Sequence, residues 1–304
     1  MSEPAPRPQA ERPGRLTVGV VGAGRVGAVL GAALQRAGHR VVAVAATSEA
    51  SRTRAEAMLP GAEILPARDV VAGADLALLS VPDDVLPDLV TGLVDVGAVR
   101  EGQLLAHTSG RHGIGVLEPA LRVGALPLAL HPVTALTGTS LDLGRLSGCC
   151  FGVTAPDVLR PIAEALVIEM GGEPVWVPEE HRPLYHAALT VASDHLVTLV
   201  AQAADLLQQA EVADPRRLLA PLVSAAVDQA LAVPDVTAGP VARGDVTTVA
   251  AHRAELDRTS REAAAAYVTL ARLAADRALA AGALAPDQAE ALLDVLAAPT
   301  DREA

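Results

Sequence analysis

Leu16-Thr17-Val18-Gly19-Val20-Val21-Gly22-Ala23-Gly24-Arg25-Val26-Gly27 is the stretch on which the fold turns. Leu16–Val21 is a short apolar run, as expected for a strand covered on both faces. Arg25–Ala37 has the pattern of a helix, and Gly38 stands just past its end in a C′ position. Between strand and helix lies G-x-G-x-x-G. That motif alone is weak, but a strand before it and a helix after it are the context that makes it specific. Gly22 permits the tight turn, Gly24 lets the backbone approach a diphosphate, and Gly27 lets the helix pack closely on the strand. The helix N-terminus then faces the phosphates of a dinucleotide.

Working outward, short apolar runs alternate with helical patterns from Leu16 to Val177, the signature of βαβ units and a parallel sheet. Strands are expected at Arg40–Ala46, Leu76–Ser80, Leu104–His107, Leu126–His131, Cys149–Thr154 and Pro174–Val177. A helix from Pro156 to Met170 is closed by Gly171. From Glu179 onward no convincing strand follows. One long helix is expected from about Arg182 to Ala210, and Asp214-Pro215 makes an N-cap and N1 pair for the next, which ends near Leu231. A loop spans Ala232–Gly244, and helices follow at Asp245–Leu256, Ser260–Ala281 and Pro286–Ala297. The fold class is α/β: a doubly wound, mostly parallel Rossmann sheet followed by an all-α C-terminal domain. The expected organisation is a disordered tail (1–14), a dinucleotide-binding domain (15–178) and a helical substrate and dimerisation domain (179–304).

Composition narrows the function. The net charge of −12 disfavours a nucleic-acid or anionic-membrane partner, and one Phe, one Trp and two Tyr leave no stacking platform for bases. Both point to a protein that handles small molecules. All 24 basic residues are Arg, so no lysine can donate a proton or form a Schiff base. Cys149 and Cys150 are adjacent, are expected as buried thiols in a strand, and suit a reducing cytoplasm. Met1–Pro13 has no apolar core of a signal peptide. Ala187–Val200 is apolar but interrupted by Asp194 and His195, so it is expected as a buried helix and not a membrane span.

The end of the second strand chooses the cofactor. An NAD site places Asp or Glu there for the ribose 2′-hydroxyl. This chain has Thr47, Ser48, Glu49 and Ser51, followed by Arg52 and Arg54. Small hydroxyls beside Arg52 suit a 2′-phosphate, which favours NADP (NADPH) over NAD, with Glu49 the dissenting residue. Ser51 and Arg52 are equally readable as a solvated helix start.

Ligands in such sheets gather beyond the carboxyl ends of the strands. There the chain places Ser80-Val81-Pro82-Asp83, His107-Thr108-Ser109-Gly110-Arg111-His112 and His131-Pro132-Val133-Thr134. Two strand-end histidines with Ser109 mark a candidate site, although a single such His is more often structural. Helical spacing puts His186, Thr190, Ser193, Asp194 and Val197 on one face; a buried His–Asp capping pair is the alternative. Arg243 could hold a substrate carboxylate, and Asp245 is expected to N-cap the helix that it opens.

Taken together, the glycine turn, His107-Thr108-Ser109-Gly110, His131-Pro132 and Gly239-Pro240-Val241-Ala242-Arg243-Gly244-Asp245 resemble bacterial Rossmann-like proteins joined to a helical domain of unknown function 2520. The resemblance covers roughly residues 14–298 and extends, more distantly, to pyrroline-carboxylate reductase, ketopantoate reductase and hydroxyisobutyrate dehydrogenases. It implies an NADP-linked oxidoreductase, usually homodimeric through the helical domain. Ordinary ketopantoate reductases and hydroxyisobutyrate dehydrogenases use a catalytic Lys, which this chain lacks.

The resulting expectation is hydride transfer from NADPH to a small 2-oxo acid, with ketopantoate the best single candidate. His131 or His186 would donate the proton, since imidazole titrates near neutrality. Ser109 and Thr108 would hydrogen-bond the carbonyl or the nicotinamide amide. Arg243 or Arg111 would hold the carboxylate, with Asp194 also at the substrate. Gly22, Gly24, Arg25, Val26, Gly27, Thr47, Ser48, Ser51, Arg52, Ser80, Val81 and Pro82 would contact the cofactor, and no metal is expected. Two alternatives stay open: reduction of an imine of the pyrroline-carboxylate type, which brings its own proton, and a non-catalytic NADP-binding sensor.

Overall fold

The computed structural model describes residues 14–233 and 239–297. Residues 1–13 of the expected tail and 234–238 of the expected loop lie outside them. The chain divides into two compact units between Val191 and Ala192.

The first unit opens with β1 (Thr17–Val21), α1 (Arg25–Arg36), β2 (Arg40–Ala45), α2 (Glu49–Met58), β3 (Glu63–Ile64), α3 (Ala67–Ala72) and β4 (Leu76–Leu79). It continues with α4 (Leu86–Asp95), β5 (Leu104–His107), α5 (Glu118–Arg122), β6 (Leu126–Pro132), α6 (Asp142–Arg145) and β7 (Cys150–Thr154). The last elements are α7 (Arg160–Glu169), β8 (Glu173–Trp176) and α8 (Arg182–Thr190). The strands form one sheet in the order β3-β2-β1-β4-β5-β6-β7-β8. Every neighbouring pair is parallel except β6 and β7. The order reverses between β1 and β4, the switch point where an open sheet leaves a crevice at its carboxyl edge.

Alternation along the strands explains why both faces are covered. On β4, Leu76 and Leu78 join a core with Val29 and Leu30 of α1 and Leu166 of α7. Ala77 and Leu79 point the other way, into a core with Val70 of α3, Val90 of α4 and Ala120 of α5. With period 2 and apolar residues at every position, the strand is buried on both sides.

The second unit holds α9 (Leu196–Gln209), α10 (Pro215–Ala232), α11 (Gly239–Ala242), α12 (Val246–Thr259), α13 (Arg261–Ala280) and α14 (Pro286–Ala297). Val249, Ala271, Ala275, Ala278 and Leu292 form a core between α12, α13 and α14. Polar caps start three of these helices. Asp214 accepts from the Arg217 N–H at 3.1 Å, Asp245 from Thr248 at 3.0 Å and Ser260 from Ala263 at 3.2 Å. Asp245 is thus a helix cap, as the sequence suggests.

Five expectations need correction. The helix from Arg182 is not one α-helix, because Val191–His195 forms a π-helical turn between α8 and α9. The wider turn breaks the spacing on which a shared face of His186, Thr190, Ser193, Asp194 and Val197 depends. Cys150 is exposed while Cys149 is buried, since they point to opposite faces at the start of β7. Ala187–Val200, expected as a buried helix, is exposed or half-buried throughout, and the two-residue edge strand β3 is too short to give an alternating signal. The short helix α11 lies within the expected loop.

Candidate active site

The turn Gly22-Ala23-Gly24 connects β1 to α1. Gly22 has φ +98°, and a Cβ there would lie 2.3 Å from the Ser80 carbonyl oxygen. A Cβ on Gly27 would fall 2.1 Å from the Gly22 carbonyl oxygen. These two glycines are therefore required by the fold itself. Gly24 differs, because a Cβ there would have no atom within 4 Å. Nothing in the described protein explains a glycine at 24, whereas a ligand laid against the backbone does. Gly24 caps α1 without a side-chain hydrogen bond, and the first turn carries no acidic residue. The N–H groups and positive dipole end of α1 thus suit a diphosphate.

Two clefts meet at this turn. The first, of about 860 Å³, is lined by Gly22, Gly24, Thr47, Ser48, Ser51, Arg52, Ser80, Val81 and Pro82. Nine of the residues expected at a cofactor are thereby brought together. Ser48 caps α2, and Ser51 reciprocates by donating to the Ser48 carbonyl at 2.8 Å, so both hydroxyls also hold the helix start. Glu49 is exposed and does not line this cleft. Arg52 is exposed, with its Nε donating to the Ala46 carbonyl at 3.4 Å. Arg54 does not line this cleft, but its Nη1 donates to the carbonyl of Ala23, which does, at 3.0 Å.

The second cleft, of about 350 Å³, is lined by Gly24, Arg25, Val26, Ser80, Asp83, Thr108, Ser109, Gly110, His131, Thr134 and His186. It gathers all three expected catalytic residues. Thr108 donates to the Ser80 hydroxyl at 3.1 Å, and the Ser109 hydroxyl accepts from the His112 N–H at 3.0 Å. Gly27 lines neither cleft, in keeping with a packing role. Arg111 is exposed at the margin, 4.0 Å from the Asp83 carboxylate and 2.9 Å from the His112 ring. Arg243 and Asp194 belong to the second unit.

The two strand-end histidines have different fates. His107 is fully buried at the end of β5. Its Nε2–H donates to the Gly113 carbonyl at 2.9 Å, and its Nδ1 accepts from the Ser109 N–H at 3.2 Å. Burial pulls its imidazole down to about 4, so the ring is neutral and both nitrogens are occupied. His107 is a structural residue that shapes the loop carrying Ser109.

His131, near the end of β6, opens into the cleft. Burial, then the Arg182 guanidinium and His186, pull it down to about 4. That direction works against the imidazolium acid expected from the sequence. Its Nδ1 lies 2.9 Å from the Tyr185 hydroxyl, and its ring stands edge-on to that of His186 at 6.1 Å.

Arg182 and Tyr185 were not foreseen. Arg182 is completely buried. It donates to the Thr154 hydroxyl at 2.8 Å and to the Gly152, Ala129 and Ser109 carbonyls at 3.0, 3.2 and 3.4 Å. It therefore ties α8 to β6, β7 and the loop after β5, which are the elements that build the cleft. Glu179 adds a second tie, accepting from the Ile114 and Gly115 N–H groups at 2.7 and 2.9 Å. The only sequence trace of this arrangement is the Arg-x-x-Tyr-His spacing at the start of a helix, which places Arg182, Tyr185 and His186 within one turn of one another.

With that geometry in place, comparison with known proteins shows what the chain is similar to. Residues 1–132 match the model of a Rossmann-like domain, and residues 149–274 match the Domain of unknown function (DUF2520). The two matches follow one another along the chain. No curated protein shows significant sequence similarity. Among solved structures, a candidate NADP oxidoreductase from Bacteroides fragilis has a TM-score of 0.70 at 22% identity, covering 86% of this chain and 98% of that one. A protein from Thermotoga maritima has a TM-score of 0.65 at 20% identity, covering 87% and 99%. An imine reductase variant from Myxococcus stipitatus, in complex with NAD+, has a TM-score of 0.58 at 19% identity, covering 86% and 94%. These likenesses are likenesses of fold.

Proposed function

We propose that this chain is an NADP-dependent reductase whose substrate is a small imine in its protonated form. The observation that carries it is a cleft at the dinucleotide turn that contains no lysine and holds His131 neutral. Reduction of a ketone leaves an alkoxide that must take a proton from an acid. Reduction of an iminium gives a neutral amine directly and needs none.

The reduced nicotinamide supplies the hydride when the cofactor is bound. Gly24 and the α1 N-terminus are placed to hold the diphosphate. Thr47, Ser48, Ser51 and Arg52 are placed for a ribose bearing a 2′-phosphate, with Arg52 offering charge-assisted hydrogen bonds. Ser80 and Val81 form the wall shared by the two clefts, Pro82 lines the first alone, and Thr108 with Ser109 line the second near His131. The Bacteroides protein is named as an NADP oxidoreductase and the Myxococcus protein as an imine reductase, which favours a reductase that uses a nicotinamide cofactor.

A second alternative is a 2-oxo acid such as ketopantoate, because His186 is a further imidazole on the same cleft and could supply the proton. Purified protein given NADPH and either a cyclic imine or ketopantoate separates the two. Oxidation with the imine alone supports the proposal, and oxidation with ketopantoate alone replaces it. NADPH binding with turnover of neither substrate makes the protein a non-catalytic sensor. The carboxylate role proposed for Arg111 is checked by alanine substitution, which should raise KM for a carboxylated substrate.

A cytoplasmic homodimer fits the rest of the chain. The helical run Glu179–Gln209 has a mean hydropathy of 1.2 in its most apolar window, and little of that window is buried. On α9 and α10, Val197 is 70% and Leu222 66% exposed. A second copy covering this face would remove apolar surface that a soluble monomer rarely shows. Sedimentation of the purified chain tests it.

A further inference from the structure

The cleft contains a pair of rings whose surroundings are shaped for it. His131 on β6 stands opposite Gly152 on β7 in the antiparallel register. A Cβ on Gly152 would lie 2.3 Å from the Tyr185 hydroxyl, so glycine there makes the space that the phenol fills. A Cβ on Gly110 would lie 2.5 Å from Cδ2 of His186 and 3.0 Å from Nε2 of His131. Two glycines on separate elements thus leave room for three rings, Tyr185, His131 and His186.

The hydrogen bond between Tyr185 and His131 can run in either direction, and the partners decide which. The phenol hydroxyl has no other partner among the described residues. A phenol O–H is a stronger donor than a neutral imidazole N–H, and an imidazole nitrogen is a stronger acceptor than a phenol oxygen, so the bond runs from Tyr185 to Nδ1. The Arg182 guanidinium lies 5.6 Å from the phenol ring, and burial holds the phenol protonated. The hydroxyl is therefore a donor, and the proton of neutral His131 is left on the other nitrogen.

We propose that Tyr185 is a positioning residue that fixes His131 as the Nε2–H tautomer, so that His131 presents a neutral hydrogen-bond donor to the cleft beside Gly110. The charged and titratable neighbours are Arg182, His186 and Asp83 around His131, and Arg182, Cys149 and Cys150 around Tyr185. An Nε2–H of this kind binds and orients an acceptor on the substrate or on the nicotinamide amide without giving up its proton. Its kinetic consequence rests on the imine-reductase proposal, whereas the tautomer itself does not.

The test is long-range ¹H–¹⁵N NMR of the histidine rings in the purified, labelled full chain at pH 7.5. The His131 signals are identified by their loss in His131→Asn. Wild type should show a protonated Nε2 and a pyridine-like Nδ1. Tyr185→Phe, and separately Gly152→Ala, should give a mixture of tautomers. Turnover of a cyclic imine should fall about tenfold in Tyr185→Phe, while the NADPH dissociation constant stays within about twofold. An Nδ1–H tautomer in wild type, or a His131 spectrum unchanged by Tyr185→Phe, overturns the proposal. If wild type turns over no imine, the functional proposal fails while the NMR result still decides the tautomer.

Discussion

The Tyr185 hydroxyl lies 2.9 Å from Nδ1 of His131, and the two rings meet edge to face with centroids 5.8 Å apart. Tyr185 comes from the helix that follows the last strand, and His131 from the end of β6. Their meeting depends on Arg182, one turn before Tyr185, whose guanidinium bonds to Ala129 and Gly152 on the strands flanking the pair. A hydrogen bond at the candidate active site is thereby built on a buried cation beneath it.

Arg182→Met should destabilise the fold by on the order of 3 kcal/mol, because three buried carbonyls and a hydroxyl lose their donor together. It should also raise the His131 pKa, since a like charge is removed. Urea denaturation and an NMR titration of His131 check the two parts. An unchanged His131 titration would remove Arg182 from the electrostatics of the site.

Gly24→Val and Gly27→Val should fail differently. A side chain at 24 projects into open space, so the melting temperature should hold while NADPH affinity falls at least about tenfold. A side chain at 27 collides with the Gly22 carbonyl, so stability itself should drop. Thermal melts with and without NADPH distinguish them. Undiminished NADPH affinity in Gly24→Val would place the dinucleotide elsewhere.

Arg52→Ala should weaken NADPH binding by about ten- to a hundredfold, the range expected for loss of a charge-assisted contact, and leave NADH nearly untouched. Fluorescence titration with both nucleotides gives the ratio. Equal losses for both would assign Arg52 to the capped helix start and not to a 2′-phosphate.

Acid should weaken the protein in a defined window. His107 is held at about 4 when folded, against about 6.5 when unfolded. Between these values the unfolded chain binds more protons, so stability rises with pH there. The contribution is complete above about 6.5, is lost as pH falls towards 4, and is worth about 3 kcal/mol. His131, pulled to about 4 as well, acts in the same direction. Urea midpoints from pH 7.5 to 4.5 should fall more steeply in wild type than in His107→Asn. Parallel curves would contradict the assignment.

The sheet was legible because its signals are local. The apolar run Val18–Val21, the glycine turn and the amphipathic α1 follow one another within a single βαβ unit, and the other strand ends could be placed by analogy of pattern. The clustering of Ser109, His131 and His186 was legible only as far as the rule that ligands gather at strand carboxyl ends. What escaped were properties set by distant partners. His107 and His131 look alike in sequence, yet one ring is saturated by Gly113 and Ser109 and the other opens to a cleft. Arg182 looks like a surface residue at a helix start, and only tertiary packing buries it among carbonyls. The π-turn at Val191–His195 has no periodic signature, so a continuous helix was the natural expectation.

The most direct measurement is steady-state NADPH oxidation by the purified chain at neutral pH, run in parallel with a cyclic imine and with ketopantoate. The lysine-free cleft with a neutral His131 predicts turnover of the imine and none of the oxo acid. Turnover of ketopantoate without turnover of any imine would contradict it.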